Sequence, residues 1–285
     1  MKKLHFTILI LTIYNISYGQ IKRKIVDAES KERIPFVNIW VENEDIGTIS
    51  NEDGFFMLQN IADTKIIVFS ATGYVTKKIN FKLIENTVVL TPQIIELNEV
   101  IVNNVKKQKK ENVIDKMRNS KIRHYLPGFG KPYIFAKYFD FKDEYQKTPY
   151  LKELRIRTRT EIDESNFIVH LYKINEEGAP EGYLHDKNII VTTKQGTKTL
   201  SINISHLNIE FPENGFFVAV EWILTKDNSD VFDSFEPYIG FTHQESNENS
   251  WFYRFGVWNR VKAYNGEVFP KTTFKQLGVE LTLTN

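Results

Sequence analysis

Apolar residues recur along this chain at period two, in short runs separated by Gly, Asn, Asp and Pro. Successive side chains of a strand point to opposite faces, so this period predicts strands. Residues 21–28 open as a strand, and 29–33 form a polar turn. Residues 34–41 are apolar on both faces: Ile34, Phe36 and Trp40 alternate with Val37, Ile39 and Val41. A strand of that kind is buried on both sides, and Pro35 belongs at its start, where a missing N–H costs least. Asn51-Glu52-Asp53-Gly54 is a turn, because Asn and Asp bond their own backbone and Gly accepts positive φ. Strands are expected over 55–58, 65–70, 74–81, 87–90 and 94–102. Roughly six or seven short strands with turns between them suggest a β-sandwich.

The pattern resumes after residue 131. Residues 133–141 are aromatic-rich. In 154–162, Leu154, Ile156, Thr158 and Thr160 face one way and Arg155, Arg157 and Arg159 the other, as in a half-exposed antiparallel strand. Phe167, Val169 and Leu171 alternate with Ile168, His170 and Tyr172, which puts His170 on an expected surface face. Further strands fall at 188–193, 199–204, 215–224, 238–242, 251–255, 257–263 and 279–284. Residues 215–224 are the strongest core candidate. Roughly nine or ten strands without helical periodicity predict a jelly-roll-like sandwich. Between the two sets, residues 103–130 are rich in Lys and Arg. Val113, Ile114 and Met117 share one helical face there, predicting a short helix ended by Pro127, Gly128 and Gly130. Such a charge run serves either as a basic patch or, more commonly, as a solvated linker.

The 285 residues suffice for two domains. Hydrophobic content of 41% and charged content of 26% fit a packed globular chain, and 21 Phe with 13 Tyr favour pleated surfaces. The first nineteen residues read differently. Lys2 and Lys3 precede an apolar run from Phe6, and Ser17-Tyr18-Gly19 supplies small residues before Gln20. That layout predicts a cleavable secretory signal over 1–19, the run being too short to span a bilayer. No later segment is long enough to span either. There is no cysteine, so an exported chain would carry no disulfide, thiolate metal site or thiol nucleophile. The net charge of +1 becomes −1 without Lys2 and Lys3, and nothing suggests nucleic acid.

Several ordered pieces of residues 21–102 carry a resemblance: the Asp27 turn, Pro35-Phe36-Val37-Asn38-Ile39, Gly47-Thr48, Asp53-Gly54-Phe55, Gly73-Tyr74 and Leu97-Asn98-Glu99-Val100. Together they resemble the carboxypeptidase-regulatory-like domain of secreted and outer-membrane proteins of Bacteroidota. That resemblance implies a transthyretin-like β-sandwich over 20–102 acting as a non-catalytic accessory module. YLKELRIRT at 150–158, FIVHLYKINEEGAPEGYLHDKNIIV at 167–191 and LSINISHLNIEFPENGFFVAVEWI at 200–223 resemble the C-terminal β-domain found beside it in secreted Bacteroidota proteins, to which no activity is attached. The expected architecture is therefore all-β: signal peptide 1–19, transthyretin-like sandwich 20–102, basic helical linker 103–130, and jelly-roll-like sandwich 131–285.

Catalytic chemistry is not legible. No His has a Glu at zinc-carboxypeptidase spacing, and no serine-hydrolase elbow or phosphate-binding loop occurs. His185-Asp186, in a loop, could bind a metal or act as a base but shows no partner. The paired acids sit in turns, and neither a carboxylate pair across a cleft nor a calcium loop follows from them. No catalytic residue, metal or cofactor is therefore assigned. The aromatic cluster at 251–258 is the binding candidate. Trp251, Tyr253 and Trp258 could stack on sugar rings, although on alternating strands half of such residues belong to a core. The expected function is a non-enzymatic exported protein, periplasmic, outer-membrane-associated or extracellular, whose partner is a glycan or an outer-membrane protein. The alternatives are a glycan hydrolase using carboxylates of the second sandwich, or an accessory of a TonB-dependent uptake system.

Overall fold

A computed structural model describes residues 22–93, 110–122, 124–230, 234–263 and 273–285. The expected signal, the strand at 94–102 and residues 103–109 of the linker lie outside them. The first domain contains β1 (Arg23–Asp27), β2 (Asn38–Val41), β3 (Gly47–Ile49), β4 (Phe55–Phe56), β5 (Ile66–Ser70), β6 (Lys77–Asn80) and β7 (Thr87–Leu90). They form two sheets, ordered β4-β1-β7 and β3-β2-β5-β6. Ile25, Ile39, Phe56, Ile67, Phe69 and Leu90 fill the space between them. The Asp27 turn is tied by its own carboxylate: Oδ1 accepts the backbone N–H groups of Glu29 and Ser30, and Oδ2 accepts the Tyr74 hydroxyl at 2.8 Å. The Ser30 amide is the main cause holding the Asp27 carboxyl below its usual range.

The second domain continues with β8 (Glu111–Ile114), β9 (His124–Gly128), β10 (Ile134–Phe139), β11 (Tyr150–Ile174), β12 (Pro180–Tyr183) and β13 (Ile189–Asn203). It ends with β14 (Phe216–Trp222), β15 (Phe235–Gln244), β16 (Ser250–Arg254), β17 (Val257–Arg260), β18 (Phe274–Leu277) and β19 (Val279–Thr284). One hydrogen-bonded path runs β17-β16-β10-β14-β11-β15-β18, with β12, β13 and β19 also on β11. The 25-residue β11 serves both layers of this sandwich. Its first half pairs with β19 and β15, its second half with β14, and its register against β13 shifts between Thr160 and Glu164. A bulge there bends the strand. The enclosed core holds Leu154, Ile156, Phe167, Val169, Phe216 and Trp222. Leu154, Ile156, Thr158 and Thr160 are buried while the three intervening arginines are half-exposed, as the alternation predicts.

The helix expected in the linker is a correction. Glu111–Ile114 is strand β8, paired antiparallel with β19, and Asn119–Lys121 is a single 3-10 turn. An isolated short helix is marginal in water, whereas Val113 and Ile114 suit a strand and satisfy the backbone of the sheet edge. The segment then lies against the second sandwich. Met117 donates its backbone N–H to Glu280 Oε2 at 2.7 Å, and Ile122 is buried over Gly240 and Gly278, where added methyls would collide with it.

Candidate functional site

Strand β14 reads FFVAVEW and is buried throughout. Phe216, Val218, Val220 and Trp222 point into the sandwich core. Phe217 and Ala219 belong to a second cluster with Ile134, Ala136, Tyr172 and Trp251. The register explains this grouping: Ala219 lies opposite Ala136 and His170, and Ala136 opposite Trp251. This is the outer face of the β10-β14-β11 layer, and the first domain covers it. Trp40 and Val68, from β2 and β5, complete the cluster. The alanines leave room for a large indole from the other domain.

Backbones also approach closely. Gly73 has φ +80°, and a Cβ there would lie 2.3 Å from the Asp186 carbonyl oxygen. Only glycine suits both the dihedral and the contact. Asn43 N–H donates to the Phe255 carbonyl at 2.9 Å. Asp45 Oδ2 meets Lys131 Nζ and Arg254 Nη2, each at 2.9 Å. Burial would raise the Asp45 carboxyl, but the bonds from Lys131 and Arg254 outweigh it and hold it low.

A chain of polar groups runs through this contact. Asn38 Nδ2 donates to Glu221 Oε1 at 2.6 Å. Glu221 Oε2 is 2.6 Å from His170 Nε2, and His170 Nδ1 is 3.0 Å from Thr72 Oγ1. Close by, Tyr172 donates its hydroxyl hydrogen to Tyr183 at 3.3 Å. His170 is 2% exposed and Glu221 1%. The surface position expected for His170 is thus corrected: its face of the strand is covered by another domain. The signals in the sequence were the lone charged or titratable residue inside otherwise apolar runs, Glu221 in GFFVAVEW and His170 in FIVHLY. Buried polar groups of this kind persist only when paired.

His185 lies beside this chain and is also buried. Its Nε2 accepts the Leu171 N–H at 3.2 Å, and its Nδ1 donates to the Lys187 carbonyl at 2.6 Å. That fixes one neutral tautomer. Burial first, and His170 second, lower its pKa to about 4. Its ring nitrogens are committed to backbone, which removes the basis for a metal or base role. Among the described residues no group of three or more His, Asp and Glu is placed to hold a metal ion.

The sequence hydroxyl–imidazole–carboxylate in Thr72, His170 and Glu221 is shared with nucleophilic triads. Here, however, Thr72 is buried at 5% exposure and is absent from the cleft wall described next. A nucleophile requires open access to substrate. The trio joins two domains.

Beside it opens a cleft of ≈ 670 Å³ between the domains. The first domain contributes Ser70, Tyr74, Thr76, Lys78 and Gln93. The second contributes Tyr172, Glu181, Tyr183, Tyr253 and Trp258. Two of the three aromatic residues singled out in the sequence are therefore on its wall. The third, Trp251, is 7% exposed and packs on Phe217 and under the Arg260 guanidinium, 4.7 Å from its ring centroid. Trp258 stands edge-on to Tyr172, with centroids 5.3 Å apart, and lies 5.3 Å from Tyr253. The cross-strand pair Tyr253–Trp258 sets this spacing. Burial pushes the Tyr253 phenol upward, as it does for Tyr172 and Tyr183. These phenols stay neutral, so they can both donate and accept hydrogen bonds. The sequence did not mark Tyr172 and Tyr183 as site residues, because neither belongs to the aromatic cluster at 251–258.

The cysteine protease and lectin-like domains of Cwp84, a surface-layer-associated protein of Clostridium difficile, align over 59% of this chain and 37% of theirs at 9% identity, TM-score 0.38. The T13 IBDV viral particle protein aligns over 92% of this chain and 60% of its own at 10% identity, TM-score 0.28. That of the infectious bursal disease virus Gx strain covers 92% and 63% at 8% identity, TM-score 0.26. This chain thus spans less than two thirds of each. No curated protein matches it. Residues 21–102 match the CarboxypepD_reg-like domain, which is regulatory and non-catalytic and has a transthyretin-like fold.

Proposed function

We propose that the chain is a non-catalytic exported protein of the cell envelope, and that it binds a glycan in the cleft between its two domains. One observation carries this reading: a cleft of ≈ 670 Å³ whose wall combines the rings of Tyr172, Tyr183, Tyr253 and Trp258 with polar Ser70, Thr76, Lys78, Gln93 and Glu181. Aromatic faces cover the apolar side of a sugar ring while polar groups meet its hydroxyls. The volume falls in the range of small-ligand sites, roughly 300–1,000 Å³. The regulatory, non-catalytic nature of the CarboxypepD_reg-like domain supports a binding role, and the signal-like start of the sequence supports export. Residues of both domains line the cleft, which explains why such a module would accompany the second sandwich: each supplies one wall.

The test is a glycan-binding screen of the exported chain, followed by calorimetry on the best ligand. Trp258→Ala is expected to weaken binding by about tenfold, the scale of an aromatic contact of about 1 kcal/mol or slightly more. Steady hydrolysis of the bound glycan, or unchanged affinity in Trp258→Ala, overturns the reading.

A further inference from the structure

Arg155, Arg157 and Arg159 share the outer face of the first half of β11, opposite the buried Ile156 and Thr158. Alternate residues of a strand stand about 7 Å apart, so the three form a row. None of them lines the cleft.

The chain treats the three differently. Arg155 is given a carboxylate: Glu280 lies opposite it in the β11–β19 register, and Arg155 Nη1 donates to Glu280 Oε1 at 3.0 Å. Arg159 lies against the rings of Tyr125 and Tyr238, 5.5 and 5.0 Å from their centroids, with Glu161 Oε1 at 3.6 Å. Arg157 is given neutral oxygens. Its Nε donates to the Tyr125 hydroxyl at 2.8 Å and its Nη1 to Thr199 Oγ1 at 3.1 Å. Among the described residues, Arg155 and Arg159 form ion pairs on this face and Arg157 forms none.

The strand registers explain the difference. One step beyond the pair Ile156–Val279 stands Gly278, and one step beyond the pair Thr158–Ile239 stands Gly240. Both glycines fall at the level of Arg157, and a Cβ on Gly240 would lie 3.5 Å from the Arg157 Cβ. Neither brings a side chain, and Ile122 fills the space over them. The position that supplies Glu280 to Arg155 thus supplies no acceptor to Arg157.

Counting hydrogens shows what would complete this group. A guanidinium only donates. Arg157 Nη2 keeps both of its hydrogens and Nη1 keeps one. The Tyr125 and Thr199 oxygens accept from Arg157, and among the described residues neither hydroxyl donates its own hydrogen. The cluster therefore offers donors and positive charge and lacks an acceptor. Its members come from β9, β11 and β13, and all three are half-buried, so they are held in place and still reachable from solvent. A tetrahedral oxyanion presents three acceptor oxygens to different sides, and planar guanidinium forks suit such groups.

We infer that Arg157, Tyr125 and Thr199 form a binding site for an external sulfate or phosphate group, and that Arg159, which shares Tyr125 with Arg157, adds a second positive charge at its edge. The site is separate from the cleft and does not depend on what the cleft binds.

Sodium sulfate, sodium phosphate and sodium acetate titrated into the full exported chain at constant ionic strength test this, with calorimetry for affinity and the guanidinium Nε–H signals in NMR for location. Sulfate or phosphate is expected to bind saturably and to move the Arg157 signal, and the tighter of the two names the source. Arg157→Gln should lower that affinity by about tenfold or more. Arg157→Lys should lower it too, because it keeps the charge and loses the fork. Tyr125→Phe and Thr199→Val preserve shape and remove one donor each, at about threefold apiece. Lys198 lies opposite Thr158 in the β11–β13 register, on the other face of its strand, so Lys198→Gln should leave the affinity nearly unchanged.

No saturable binding of either anion overturns the site, as does binding that survives Arg157→Gln or falls equally in Lys198→Gln. Acetate bound as tightly as sulfate and phosphate overturns the assignment to a tetrahedral group. Trp258→Ala should leave anion binding intact and Arg157→Gln should leave glycan binding intact, so a failure of the cleft reading and a failure of this site are told apart.

Discussion

Strand β14 is buried on both faces by two different chemistries. Its inner face, Phe216, Val218, Val220 and Trp222, meets the apolar core of its own sandwich. Its outer face, Phe217, Ala219 and Glu221, meets another domain. On the inner side the driving force is non-directional burial, which tolerates a range of shapes of similar volume. On the outer side burial alone would let Trp40 and Val68 slide over small residues. Asn38, Glu221, His170 and Thr72 hydrogen-bond to one another in a single register. A buried hydrogen-bonded pair of this kind adds little net stability, but one partner alone is heavily penalised. The outer contact therefore fixes the position of the domains, and with it the shape of the cleft.

The largest expected effects test that difference directly. Phe216→Ala should destabilise the protein by about 3–5 kcal/mol through loss of core packing, and Glu221→Ala by about 3–5 kcal/mol because His170 and Asn38 lose their acceptor. Urea unfolding measures both. The two should separate on repair. His170→Leu combined with Glu221→Leu is expected to cost less than Glu221→Leu alone, since both partners become apolar together, and a double-mutant cycle reads the coupling. A double variant no better than the single would remove the registry role of the pair.

Acid should act through the second contact as well. His185 is ordinarily near 6.5 and falls to about 4 in the fold. A group with a depressed folded pKa leaves the unfolded chain holding more protons between those values. Stability is therefore complete above about pH 6.5 and falls as pH drops towards 4, by about 3 kcal/mol in total. Denaturation midpoints followed from pH 7 to 4 should show this slope, and His185→Gln should flatten it. An identical slope in the variant would place the acid sensitivity elsewhere.

Two neighbouring tryptophans sharpen the division between packing and recognition. Trp251→Ala should cost about 3–5 kcal/mol of stability, because its ring is packed against Phe217 and Arg260. Trp258→Ala should lower stability less and ligand affinity more. The smallest effect belongs to the rim. Arg254 and Asp45 are 37% and 44% exposed as side chains, so Arg254→Ala should change stability by about 1 kcal/mol or less, and less still in high salt.

Much of the fold was readable from alternation. The strands around Asp53-Gly54, the buried run at 66–70 and the two faces of residues 154–160 follow from period two and turn chemistry. The linker was misread because Val113, Ile114 and Met117 fit a helical face as well as a strand, and pairing with β19 decided between them. Tyr253 and Trp258 were marked as binding candidates by aromatic density alone. Tyr172, Tyr183, Thr72 and His170 were not, since they lie on separate strands or in the other domain and meet only when the sheets pack. Gly73, noted in the sequence as part of a motif, is explained by the Asp186 backbone more than a hundred positions away.

The sequence by itself determined the all-β character, the turns and which residues of each strand share a face, because these depend on neighbours one to four positions apart. It also determined that Glu221 and His170 interrupt apolar runs. Only the tertiary structure decided which of those faces would be covered by the first domain, that Glu221 would meet Asn38 and His170, and that a cleft lined by four aromatic side chains of the second domain would open beside them. Those outcomes depend on contacts between residues far apart in the chain, whose register is set by domain packing.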